Sequence, residues 1–287
     1  MRICAFGAGA VGGFLATKFA LAGQQVTVID RAEHLVAIKN NGIKVRCPDS
    51  PILHSSVKAV GTAKDAGKQN LVLLAVKAHT LGEIASDLHH LLDDKTMLMT
   101  LQNGIPWWYF EKEKGRVAGK RLKSIDPDGT LAQSIDANRL VACVVHPATQ
   151  VVSPGVIKHL DGDRYAIGEL DGQITKRLMQ VRDVFAVAGL RPRLQRDIRS
   201  EIWFKALGAI ALNPLSAITR ATVVDICQCP ETRQLAVRLM EEAKMVAEKL
   251  DMAFRLPIQK RVEGAEALGP HKTSMLQDVV APRVYHP

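Results

Sequence analysis

The run EIWFKALGAIALNPLSA (201–217) is nearly all apolar, yet it carries Lys205 and, eight residues on, Asn213. Eight residues of helix leave two side chains about 80° apart and two turns distant, so both fall broadly on one face. Their neighbours Ile202, Phe204, Leu207, Ile210 and Leu212 would surround an ammonium with hydrocarbon. Burying that charge is costly unless it has a partner or a task; the alternative is that the stem carries it to the surface. An ammonium held in this way can stabilise a developing alkoxide and deliver a proton to it. Pro214 cannot donate to the carbonyl of Ile210, which predicts a kink beside Asn213.

A second chemistry lies in the opening residues, MRICAFGAGAVGGFL. Gly7, Gly9 and Gly12 spell G-x-G-x-x-G, with Ala8, Ala10 and Val11 between them. Such a turn suits a dinucleotide pyrophosphate. The first glycine permits the tight turn, the second lets the backbone approach the phosphates, and the third lets the helix pack close to the strand. The helix N-terminus then offers unpaired N–H groups and the positive end of its dipole. Asp30 and Arg31 follow at the end of the next apolar run, QQVTVID. The acid suits the ribose 2′-hydroxyl of NAD(H) and the arginine suits the 2′-phosphate of NADP(H), so the pair leaves both cofactors open. Lys77 and Asn103 end two further apolar runs, where doubly wound sheets place their ligands.

These residues require elements to hold them. RICAF (2–6), QQVTVID (24–30), NLVLLAVKAHT (70–80) and TMLMTLQNGI (96–105) read as strands, the last two as parallel strands buried on both faces. GGFLATKFALAG (12–23) has helical spacing and a terminal glycine. PWWYF (106–110) reads as core, 111–138 as a long loop, and 139–160 with 164–170 as strands that complete the domain. From 175 onward the apolar period is 3.6 residues, over 174–189, 197–213 and 231–251. The expected architecture is an α/β Rossmann-type domain over 1–172 and an all-α domain over 173–287, with DGQIT (171–175) as the hinge.

Composition narrows the partners. The 287 residues carry a formal net charge of +9, which favours anionic small molecules. Aromatic residues make up only 5%, against a base-stacking nucleic-acid binder, and the densest basic run, EKEKGRVAGKRLK (111–123), reads as a solvated loop. The five cysteines show no C-x-x-C spacing and read as reduced thiols, with no metal set. No signal segment precedes the first strand and no apolar run approaches the roughly 20 residues that span a bilayer, so the expectation is a cytoplasmic protein without a membrane partner.

Five blocks in order carry a family resemblance: GAGAVGG, AVKAHT (75–80), LQNGIPWW (101–108), IWFKALGAIALNPLSAIT (202–219) and HKTSMLQD (271–278). Together they resemble the ketopantoate reductases, also called 2-dehydropantoate 2-reductases, across nearly the whole chain. The resemblance implies NADPH-dependent reduction of 2-dehydropantoate to (R)-pantoate, on the route to pantothenate and coenzyme A, by a monomer or homodimer. It implies that Gly7 to Gly12 hold the pyrophosphate, Arg31 the 2′-phosphate, and Lys77 and Asn103 the cofactor. Lys205 would be the general acid, and Asn103, Asn213 and Ser274 would contact the substrate. Two features depart from the family pattern: Ala209 stands where many members have asparagine, and no acid follows Asp278. Fewer polar contacts suit another 2-oxo acid or an imine as the alternative substrate, and a non-catalytic NADP-binding protein is the remaining alternative.

Overall fold

The computed structural model describes residues 1–48, 50–254, 256–267 and 269–280, and it divides into two units, Met1–Ile198 and Arg199–Pro287. The strands of the first unit are β1 (Arg2–Phe6), β2 (Gln25–Ile29), β3 (Ile43–Arg46), β4 (Leu53–Ser55), β5 (Lys58–Val60), β6 (Leu71–Leu74), β7 (Met97–Thr100), β8 (Leu140–Val145), β9 (Ala148–Ser153), β10 (Val156–Asp161), β11 (Arg164–Gly168) and β12 (Arg191–Leu194). Its helices are α1 (Ala10–Leu21), α2 (Ala32–Asn41), α3 (Ala63–Ala66), α4 (Leu81–Ile84), α5 (Thr130–Ser134) and α6 (Lys176–Val187).

The main sheet runs β12-β11-β8-β7-β6-β1-β2-β5. From β5 to β8 every pairing is parallel, so β1, β2, β6 and β7 end on the same edge. The buried runs LVLL and MLMT explain this, because a parallel sheet covered on both faces needs apolar residues pointing both ways. β11 then joins β8 antiparallel. β9 and β10 do not join this sheet. They pair with β3 and β4 in a second sheet, ordered β4-β3-β10-β9, so the strands expected within 139–160 divide between two sheets. The one-sided burial of β3, buried and exposed in alternation, marks a sheet with one wet face.

Helix α1 lies between the two sheets, touching β1 and β2 on one side and β3, β4, β9 and β10 on the other. That position explains why Gly12 through Thr17 are all buried. It also explains a pair of glycines. A Cβ on Gly12 would stand 2.0 Å from the Gly7 carbonyl oxygen, and one on Gly13 would stand 2.3 Å from Ile157 Cδ1. One glycine fits the helix to the main sheet and its neighbour fits it to the small one.

Residues 173–198 belong with this unit, as α6 and β12 pack on β11. The expected hinge is pinned. Thr175 accepts the Leu178 N–H at 3.2 Å as N-cap of α6 and donates to Glu169 Oε1 at 2.5 Å. Buried Glu169 also takes Arg177 through both carboxylate oxygens. The expected long loop is likewise part-structured: buried Asp126 accepts the N–H groups of Leu131 and Ala132, each at 3.1 Å, at the start of α5. Trp107, Trp108 and Tyr109 are core residues, as expected. All five cysteines are free thiols.

The second unit consists of α7 (Ile198–Thr219), α8 (Val223–Gln228), α9 (Pro230–Glu248), α10 (Ile258–Glu266) and α11 (Ser274–Val280). Its core joins Ala211, Leu212 and Leu215 of α7 to Ile226, Met240, Ile258 and Val262. The helix continues through Pro214 to Thr219 instead of ending near it. At 22 residues, α7 is long and apolar enough to cross a membrane, which corrects the expectation that no run approaches that length. Its apolar character has a nearer use, since Ala211, Leu212 and Leu215 pack into this core. The terminal residues 281–287, where the family acid was sought, lie outside the described residues.

Candidate active site

The turn after β1 has the geometry that a pyrophosphate cradle needs. Gly7 adopts φ +95°, a conformation that L side chains rarely take, and donates to the Ile29 carbonyl at 2.9 Å. A Cβ there would stand 3.0 Å from Val76 Cγ1. Gly9 is the N-cap of α1 and supplies no capping side chain, so the first-turn N–H groups of α1 look outward from it. A Cβ on Gly9 would meet nothing within 4 Å. The three glycines therefore differ in role: Gly7 and Gly12 are required by protein packing, whereas Gly9 borders open space. Open space at a bare helix N-terminus fits a dinucleotide phosphate.

Two side chains, Asp30 just after β2 and His34 in α2, grip this turn from behind. Asp30 Oδ2 accepts the Ala8 N–H at 2.7 Å, and Oδ1 accepts the Arg31 N–H at 2.8 Å. His34, in the first turn of α2, holds the other side of the Ala8 peptide: its Nδ1 accepts the Gly155 N–H at 3.2 Å, which assigns the ring proton to Nε2, and Nε2–H donates to the Ala8 carbonyl at 2.8 Å. Arg31 is exposed beside them as N-cap of α2. No sequence signal marks His34, whose partners lie 26 and 121 residues away.

Lys77 and Asn103 sit just past the ends of β6 and β7, on the same sheet edge as the glycine turn, and both are exposed. The residue between them in function is Gln102. Its amide nitrogen donates to the carbonyls of Leu74 at 2.7 Å and Val76 at 2.9 Å, tying the segment before Lys77 to the segment before Asn103. A cavity of about 420 Å³ elsewhere in this unit, between Phe14, Lys18, Cys47, His159 and Arg191, is lined by none of these residues.

In the second unit α7 carries Lys205, Ala209 and Asn213 as a half-buried stripe. Ser274 opens α11 and is exposed; Thr273 before it caps that helix, accepting the Leu276 N–H at 3.2 Å. The sequence-predicted residues thus form two groups. Gly7 to Gly12, Asp30, Arg31, Lys77 and Asn103 share one edge of the main sheet. Lys205, Asn213 and Ser274 belong to the helical unit. Among the described residues no three His, Cys, Asp or Glu side chains gather as metal ligands.

Residues 3–172 match the family described as ketopantoate reductase PanE/ApbA, and residues 197–285 match its C-terminal counterpart. A 2-dehydropantoate 2-reductase of Mesorhizobium japonicum is 41% identical over 280 residues, covering 97% of this chain and 86% of its own. A solved structure from Ralstonia solanacearum MolK2, described as of the ketopantoate reductase type, superimposes with TM-score 0.91 at 36% identity, over 96% of this chain and 85% of that one. D-mandelate dehydrogenase, solved with NADH and anilino(oxo)acetate, superimposes with TM-score 0.82 over 98% of this chain and 85% of its own; at 20% identity it shares the fold.

Proposed function

The chain belongs to the ketopantoate reductase family of oxidoreductases, and from that premise we propose that it reduces 2-dehydropantoate to (R)-pantoate with NADPH. The observation that carries this reading is the half-buried Lys205 on apolar α7, with Asn213 two turns along the same face. NADPH, when bound, supplies the hydride. Gly7 to Gly12 and the N-terminus of α1 hold its pyrophosphate, Arg31 its 2′-phosphate, and Lys77 and Asn103 approach it from the ends of β6 and β7. Lys205 donates a proton to the substrate's carbonyl oxygen as negative charge develops there, and its own charge stabilises that oxygen before transfer is complete. Asn213 and Ser274 orient the substrate by hydrogen bonds.

Loss of reduced-nicotinamide absorbance with 2-dehydropantoate tests the reading. Lys205→Ala should lower kcat by about 10²–10⁴-fold, the usual worth of a positioned acid, with NADPH affinity unchanged. Equal, slow oxidation by wild type and variant would defeat the assignment. Ala209 supports a second reading, reduction of another 2-oxo acid, because its methyl makes no hydrogen bond to a substrate hydroxyl. Comparison of kcat/KM across a panel of 2-oxo acids separates the two.

A further inference from the structure

Arg261 is the one cation of α10 that lies against α7. Its guanidinium stacks over the Phe204 ring, 3.9 Å from the centroid, and Phe204 is the residue before Lys205. Its Nε is buried without a hydrogen-bond partner. Burial lowers its pKa from the ordinary arginine value, and Glu201 works against that shift through its charge. A guanidinium has five donors in a rigid fork, and leaving even the Nε–H unmet where water is scarce costs free energy. The fold keeps the group there by packing: Ile258 and Val262, flanking Arg261 on α10, are part of the core formed with Ala211, Leu212 and Leu215 of α7.

Gly208 shows that the position is accommodated. A Cβ at 208 would stand 3.2 Å from the nearest guanidinium nitrogen of Arg261, closer than side chains ordinarily pack. Glycine inside a helix is less stable than alanine, so its place mid-helix fits a need for that space. Helical geometry puts Gly208 about 60° to one side of Lys205 and Asn213 about 80° to the other. Arg261 and Asn213 thus flank the lysine.

We propose that Arg261 is a substrate-binding residue that pairs with the carboxylate of the 2-oxo acid, and that Gly208 leaves room for it. The proposal rests on the reductase reading above. A planar fork of donors matches a carboxylate two bonds to two oxygens, which a hydroxyl or an amide does not. It would also compensate in part for the missing amide at Ala209.

Binding tests this without turnover. Pantoate and its uncharged carboxamide are titrated calorimetrically into the NADP⁺-saturated full-length protein. Wild type should prefer the carboxylate by at least tenfold. Arg261→Gln should abolish the preference by weakening pantoate alone, and Arg261→Lys should retain part of it. Gly208→Ala, which keeps the helix and crowds the guanidinium, should reduce the preference severalfold with no loss of thermal stability, so a result does not depend on Arg261 variants folding. An unchanged preference in both Arg261→Gln and Gly208→Ala overturns the proposal, as does a wild type with no preference. Failure of wild type to turn over 2-dehydropantoate while the preference holds would count against the reductase reading and leave the carboxylate site standing.

Discussion

Asp30 and Ala8 are joined by a hydrogen bond of 2.7 Å from the Ala8 N–H to the carboxylate, within the turn that begins α1. An acid at this place ordinarily reads the ribose; here one oxygen holds the glycine turn and the other holds the Arg31 N–H. Asp30→Ala should therefore weaken NADPH and NADH together, by about tenfold, as loss of a charge-assisted hydrogen bond of roughly 1.5–3 kcal/mol predicts after allowance for partial exposure. Side-by-side titrations decide it. A selective loss of NADH, with NADPH unchanged or tighter, would instead make Asp30 a ribose reader.

Gly9 and Gly12 separate fold from ligand. Gly12→Ala forces a Cβ to within 2.0 Å of the Gly7 carbonyl oxygen, so the turn must open. Stability and cofactor affinity should fall together, stability by about 1–3 kcal/mol, the usual range for overpacking. At Gly9 the added methyl meets no protein atom within 4 Å. Gly9→Ala should melt as wild type does, yet bind NADPH at least tenfold more weakly because the methyl occupies the cradle. Equal affinity in that variant would show that the phosphates lie elsewhere.

Much of the first unit was legible because its rules are local. A buried strand, a glycine turn, a helix and an acid follow one another within 30 residues, and each has its own residue chemistry. The second sheet was not legible, since β3 and β10 find each other across more than 100 residues and pair as Lys44 with Val156. His34 and Gln102 were missed for the same reason: their partners are backbone groups, which carry no mark in sequence. The hinge expected at 171–175 failed because Glu169 and Arg177 hold it, a pairing that composition does not reveal. Lys205 and Asn213 stand out in sequence because a polar side chain on an apolar helix contrasts with its neighbours, whereas Arg261 sits in an ordinary charged stretch and only its packing on Phe204 sets it apart.

Cys4, in the middle of β1, supplies a pH signature. Burial pushes its thiol up to about 12, with the charge of Lys58 opposing the shift. The folded state thus holds the neutral thiol while an unfolded chain ionises near pH 8.5 to 9. A raised folded value means that this contribution is intact below the unfolded value and is lost as pH climbs from there toward 12. Thermal midpoints should decline between pH 9 and 11, and Cys4→Ala should flatten that decline by its own share. At pH 8 a thiol-alkylating reagent should modify exposed Cys229 and spare Cys4 until the protein unfolds. Early modification of Cys4 would contradict its placement in the sheet.

The last test concerns the end of the first sheet farthest from the cradle. Leu140 begins β8, whose parallel neighbours reach the cradle only at their opposite ends. There Arg177 Nε donates to Glu169 Oε1 at 2.8 Å, and the same guanidinium reaches the Leu140 carbonyl at 3.3 Å. The Glu169 side chain is 3% exposed and that of Arg177 is 31% exposed. Removing one partner of a buried pair leaves the other charge uncompensated and typically costs 3–5 kcal/mol; the partial exposure of Arg177 brings the expectation for Glu169→Gln to about 2–3 kcal/mol. Replacing both partners, as in Glu169→Leu with Arg177→Met, should recover a large part of that loss, since no charge is then stranded. Chemical denaturation measures both. NADPH affinity should stay at the wild-type value in every variant that remains folded, because the pair stands at the opposite edge from Gly9. A double replacement no better than the single one would mean that the carbonyls of Asn138 and Leu140, both held by Arg177, matter more than the charge pair.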